Sequence, residues 1–124
     1  GHAKDYTEMQ WRIMQQKNPK DYVIATGHAY SVKQFVNIAS SYLGIKIFWS
    51  GKGLKEIGYI KNKNKKEILI RIDKSYFRPN EVEYLKGDAS KALKDLKFKP
   101  KYSFKDLVKD MIDSDLKEAK KELK

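Results

Sequence analysis

Ile72-Asp73-Lys74-Ser75-Tyr76-Phe77-Arg78-Pro79-Asn80-Glu81-Val82 is the stretch that decides how this chain is read. It grows out of Ile68 to Ile72, a short β-branched run that predicts a buried strand ending at Asp73. Pro79 biases Arg78 towards an extended backbone and prevents a helix from passing through both. A rigid, extended segment then presents Arg78 and Glu81 three residues apart, beside the aromatics Tyr76 and Phe77. Guanidinium grips phosphate in a bidentate fork, and a carboxylate accepts a hydrogen bond from a ribose hydroxyl. The pair therefore suits a nucleoside diphosphate. On side-chain chemistry alone, a surface Arg–Glu ion pair accounts for the two residues equally well, because such pairs are common and weak.

The remaining sequence bounds what that segment belongs to. A chain of 124 residues makes one domain with a modest core, and residues 1–124 are read as one. No apolar run is long enough to span a membrane, and no signal-peptide pattern appears. The absence of cysteine removes disulfides, thiol nucleophiles and thiolate metal sites, which fits a cytoplasmic protein. A net charge of +11 raises nucleic-acid binding as a rival function. The excess is almost all lysine, however, with Arg12, Arg71 and Arg78 the only arginines. Base-reading surfaces lean on arginine, so a solvated lysine-rich surface is the favoured reading.

Periodicity predicts a mixed α and β lobe. Asp5 to Gln16 reads as a helix stopped by Asn18-Pro19. Tyr22 to Ala25 reads as a strand. Ser31-Val32-Lys33-Gln34 is a capping box opening a helix that closes at Gly44. Ile45 to Trp49 reads as a strand, and with Tyr22–Ala25 and the helix between them suggests a βαβ unit. Glu56 to Ile60 and Glu67 to Ile72 predict a hairpin around Asn62-Lys63-Asn64-Lys65. Asp88 caps a helix over Ala89 to Leu96. Ser103-Phe104-Lys105-Asp106 is an acidic variant of the capping box. It opens a last helix with an apolar stripe from Phe104 to Leu123 and a charged tail from Lys117 that is expected to fray.

Catalytic motifs are missing. No Gly-x-Gly-x-x-Gly follows a strand, and no Tyr-x-x-x-Lys pair would share one helical face. Gly51-Lys52-Gly53 is too short for a phosphate loop and reads as a turn. Two histidines, His2 and His28, are too few for a metal cluster; His28 reads as a surface loop residue. The sequence points to no catalytic or metal-binding residue.

Several stretches carry a resemblance. Tyr76-Phe77-Arg78-Pro79-x-Glu81-Val82 followed by Gly87-Asp88-Ala89-Ser90-Lys91-Ala92 is similar to the C-terminal lobe of the GDP-mannose 4,6-dehydratase family, within the extended short-chain dehydrogenases/reductases. Gly1-His2-Ala3-Lys4-Asp5-Tyr6, Met9-Gln10-Trp11, Gln15-Gln16 and Asp21-Tyr22-Val23-Ile24-Ala25-Thr26-Gly27 agree with it, in order, over essentially the whole chain. The resemblance implies an α/β fold: a small helix-and-short-strand lobe of an NAD(P)-binding Rossmann enzyme whose Rossmann core is not in this chain. It implies a parent that binds NADP on that core and converts GDP-mannose to GDP-4-keto-6-deoxymannose. In that reaction hydride leaves C4, water is eliminated across C5–C6 and hydride returns at C6. It also implies a homo-oligomeric parent, with GDP-mannose as partner and neither nucleic acid nor membrane. By resemblance Arg78 and Glu81 touch the diphosphate and ribose. Lys4 approaches the diphosphate or is simply a helix-start lysine. One of Tyr76 and Phe77 faces the ligand, and Tyr76 is counted with the substrate-binding residues. The lobe alone should hold no cofactor and catalyse nothing.

One departure is local: Leu96-Lys97-Phe98-Lys99-Pro100 has Lys97 where the family has a glycine. Two alternatives stay open. One is a lobe of another nucleotide-sugar epimerase or dehydratase; the other is a stand-alone basic module binding nucleic acid, whose affinity would fall steeply with salt.

Overall fold

The apolar positions of the sequence assemble into two units in a computed structural model that describes residues 1–63, 65–76, 78 and 85–123. One unit comprises residues 1–31 with 84–124, the other residues 32–83. Glu81, Phe77 and Pro79 lie outside the described residues.

The first unit is helical. Helix α1 spans Ala3–Met14, α3 Ser90–Leu96 and α4 Phe104–Glu122. Met9, Ala92, Leu96 and Phe98 form its buried cluster, with Ile13, Tyr22, Ile24 and Ala89 packed against it. The sequence predicted a strand over Tyr22 to Ala25, and the structure corrects this. The segment is irregular, and its apolar run packs Tyr22 and Ile24 against the core instead. Tyr22 donates through Oη to Asp95, and Lys91 Nζ donates to the Asp21 carbonyl at 2.8 Å. Without a pairing strand, the segment is held here by side chains. Gly87 lets the neighbouring chain come close: a Cβ added there would stand 2.7 Å from Ala25 Cβ and 3.3 Å from Val23 Cγ1. Gly87→Ala should therefore cost about 1–3 kcal/mol, read as a lower urea midpoint.

Local chemistry sets the helix ends. The predicted cap is corrected by one residue: Ala89 occupies the N-cap position of α3, and Asp88, just before it, accepts through Oδ1 from Ser90 N at 2.9 Å. Lys97 ends that helix at φ 53°, ψ 40°, in the left-handed region. The left-handed turn that glycine favours is made here by Lys97, with Phe98 N donating to the Ala92 carbonyl. Arg12 Nη1 reinforces it by donating to the Leu96 carbonyl at 3.0 Å. Lys97→Gly should raise stability by about 1 kcal/mol, since only the side chain opposes this backbone; a small upward shift of the denaturation midpoint checks it. At α4 the Ser103/Asp106 capping box is formed in both directions. The helix continues through the charged tail to Glu122.

The second unit has helix α2, Val32–Tyr42, and a three-stranded sheet of β1 Phe48–Ser50, β2 Ile57–Asn62 and β3 Lys65–Arg71. Gly44 follows α2 with φ +72°, as its position after the helix requires. The strand order is β1-β2-β3, and both pairs are antiparallel. The predicted hairpin is present, with Asn62 opposite Lys65. The predicted βαβ unit is not: Phe48 pairs with Tyr59 rather than with a parallel strand at Tyr22–Ala25. The predicted burial of Ile68 to Ile72 is also corrected. β3 is an edge strand, Ile68, Leu69 and Ile72 are exposed, and a bulge at Leu69 shifts the register between Gly58 and Tyr59. Bulges and edge lysines keep such a strand from pairing with foreign chains.

Candidate functional site

Arg78 stands exposed just beyond a short 3-10 turn, Lys74–Tyr76, in the second unit. Asp73 builds that turn: its Oδ1 accepts from Ser75 N at 2.9 Å and from Ser75 Oγ at 2.8 Å. These bonds hold the Asp73 carboxyl below its ordinary value, the backbone bond contributing most. The segment from Ile72 is therefore not extended throughout, as the sequence predicted. An Asx turn, favoured by Asp-x-Ser, reverses the chain first. Tyr76 ends the turn at 83% exposure, so its ring is free for a ligand or a partner surface.

Lys4 lies in the first unit, on the first turn of α1. Its ammonium is 3.7 Å from Asp110 Oδ2 and 5.5 Å from the centre of the Tyr102 ring. Both contacts are on the exposed rim, where they contribute little to stability.

Around Lys4 the structure reveals a network that sequence reasoning missed. His2 is 6% exposed. Its Nδ1 accepts from Lys4 N at 3.1 Å and caps α1, its Nε2 is 3.1 Å from Asp110 Oδ2, and its ring stacks on Tyr102 at 4.3 Å. With Nδ1 accepting, the proton of the neutral ring sits on Nε2 and is donated to Asp110. Both nitrogens are thus committed to structure, and neither is available as a general base. Asp5, 3% exposed, accepts from the backbone of Lys101 at 3.1 Å and of Tyr102 at 3.2 Å. An acidic residue in a first helical turn was the one available signal, and it reads as dipole compensation rather than as a clamp on a distant loop. His28, as expected, is an exposed loop residue.

Hydrogen bonds and nearby cations hold several carboxylates of this unit below their ordinary values. For Asp106 the leading cause is the Ser103 hydroxyl, for Asp110 His2, for Asp88 the Ser90 hydroxyl, for Asp95 Lys20 and for Glu8 Lys101. The folded state binds these protons less tightly than the unfolded chain does. Their stabilisation is present above the ordinary Asp value of 3.8 and is lost as pH falls through the lower native values. Thermal midpoints should therefore fall on acidification below about pH 4, and Asp106→Asn should make that fall shallower.

The described residues do not fit a dinucleotide. The sheet is wholly antiparallel. Tyr42 and Lys46 have the right sequence spacing for a catalytic pair, but α2 ends at Tyr42 and Gly44 turns the chain between them. Tyr59 and Lys63 are likewise spaced, on a strand and its turn. No three His, Cys, Asp or Glu residues converge on a metal position among the described residues. No helix of the described residues is long and apolar enough to cross a membrane.

What the described residues define is a mixed α and β lobe. Its relatives give it a place. The family model described as GDP-mannose 4,6 dehydratase matches residues 1–111. A Drosophila melanogaster protein named GDP-mannose 4,6 dehydratase is 45% identical over 121 residues, covering 98% of this chain and 30% of the relative. The Homo sapiens protein of that name is 41% identical over 116 residues, covering 94% and 31%. GDP-mannose 4,6-dehydratase of Vibrio cholerae serotype O1 is 42% identical over 127 residues, covering 96% and 34%. The chain belongs to the GDP-mannose 4,6-dehydratase family. It spans about a third of the length of the curated relatives it matches.

Proposed function

We propose that this chain is the C-terminal substrate-binding lobe of an NADP-dependent GDP-mannose 4,6-dehydratase, a lyase that forms GDP-4-keto-6-deoxymannose. The observation that carries this reading is the match over residues 1–111 to a family whose members bear that name. Arg78 grips the diphosphate and Glu81 accepts from the ribose, with Tyr76 alongside. The exposure of Arg78 and Tyr76 beyond the Asp73 turn supports the assignment, since a gripping guanidinium must reach solvent before substrate arrives. Lys4 contributes to the diphosphate only by leaving Asp110, which at 3.7 Å on an exposed rim is a small cost. NADP belongs to the part of the longer relatives that this chain does not span, the Rossmann portion of an extended short-chain dehydrogenase/reductase. The parent works as a cytoplasmic homo-oligomer.

The lobe by itself supplies binding and no chemistry. Pure 124-residue chain, supplied with GDP-mannose and NADP, should form none of the 4-keto-6-deoxy product. Formation of that product would overturn this division of roles.

A further inference from the structure

The register of the sheet sorts its side chains onto two faces. Trp49, Gly58 and Ile70 lie on one. Trp49 Nε1 donates to Asn37 Oδ1 of α2 at 2.8 Å, so this face is turned to the helix. Phe48, Tyr59, Lys61, Lys66 and Ile68 lie on the other. There Lys61 stands directly opposite Lys66 across the strands, a like-charge pairing that weakens a sheet. Lys46 and Lys61 place their ammoniums 5.4 and 4.7 Å from the centre of the same Phe48 ring, and Lys66 lies 4.9 Å from the centre of Tyr59. Glu67, the single acid of β2 and β3, pairs with Ile60 and points to the other face. Among the described residues no carboxylate bridges these three lysines. Their charge is gathered at a cost to the fold and left for something else.

We infer that this face docks on an anionic lipid surface. Lysines that carry charge without planar forks suit a diffuse negative surface rather than base edges. Phe48 and Tyr59 are already covered by the chain's own ammoniums, so they offer no platform for stacking bases. Ile68, exposed on the same face as the lysines, supplies the apolar contact that a headgroup region takes up. The contact is peripheral. It needs no spanning helix and is independent of the nucleotide site.

Co-sedimentation of the 124-residue chain with phosphatidylcholine vesicles, with and without phosphatidylserine, tests it. Binding should require phosphatidylserine and weaken with salt. It should fall by about tenfold or more in Lys61→Glu/Lys66→Glu, and less in Lys66→Gln. Lys117→Glu/Lys120→Glu, with the same charge change on α4, should bind like wild type. Lys61→Glu/Lys66→Glu exchanges one like-charge cross-strand pair for another, so its thermal midpoint should stay close to wild type and lost binding cannot be ascribed to unfolding. The inference is overturned by equal binding to phosphatidylcholine alone, by no binding, or by equal losses in the two double variants. It is also overturned if a single-stranded oligothymidylate binds more tightly than the vesicles.

Discussion

Asp5→Ala should lower the stability of the helical unit by about 2–4 kcal/mol. The carboxylate is almost fully buried and accepts from two consecutive backbone amides, those of Lys101 and Tyr102. Hydrogen bonds to a charged acceptor are the strong ones. Alanine leaves both amides without an acceptor in a segment that packs on His2 and starts α4. The loss should spread, because Lys101 also pairs with Glu8, which pairs with Arg12, which holds the end of α3. Asp5→Asn retains one acceptor oxygen and should lose about half as much. Urea unfolding reads the difference as a lower midpoint with an unchanged slope. A loss below about 0.5 kcal/mol would mean that the two amides find other partners.

The second large effect concerns Arg78. In a full-length dehydratase carrying this chain as its C-terminal part, Arg78→Ala should raise KM for GDP-mannose about ten- to a hundred-fold and leave kcat nearly unchanged. The proposed contact is with the diphosphate, away from the C4 to C6 atoms that react. An interaction of equal strength in ground and transition states affects KM and not kcat. Loss of a charge-assisted bond of about 1.5–3 kcal/mol gives that factor. Arg78→Lys should recover only part, since an ammonium lacks the planar fork. Glu81→Gln should do less harm, because its amide oxygen still accepts from a hydroxyl. A surface ion pair between Arg78 and Glu81 would instead leave both constants unmoved.

What could be read in the sequence was what is decided locally. The helices over Ala3–Met14 and Phe104–Glu122, the Ser103/Asp106 box and the Lys65 hairpin all follow from residues within a few positions of one another. What misled were inferences about distant partners. Tyr22 to Ala25 is an apolar run of strand length, yet no described strand pairs with it, and Tyr22 and Ile24 pack instead against the cluster of the helical unit. Ile68 to Ile72 is apolar enough for a core strand but lies at the sheet edge. His2 was equally opaque. A histidine beside a chain start carries no sign that it will cap α1 and meet Asp110, 108 residues away. Of the candidate site, Arg78 and Glu81 are legible from side-chain chemistry and resemblance. The Asp73–Ser75 turn that sets Arg78 out into solvent was legible in Asp-x-Ser but was read as part of an extended run.

Equilibrium titration of GDP, without the sugar, into that full-length enzyme and its Arg78→Ala variant tests the central claim most directly. If Arg78 holds the diphosphate, GDP should lose the same ten- to hundred-fold affinity as GDP-mannose, about 1.5–3 kcal/mol. Equal GDP affinity in the two proteins, both folded, would show that the segment from Asp73 to Glu81 is not the nucleotide site.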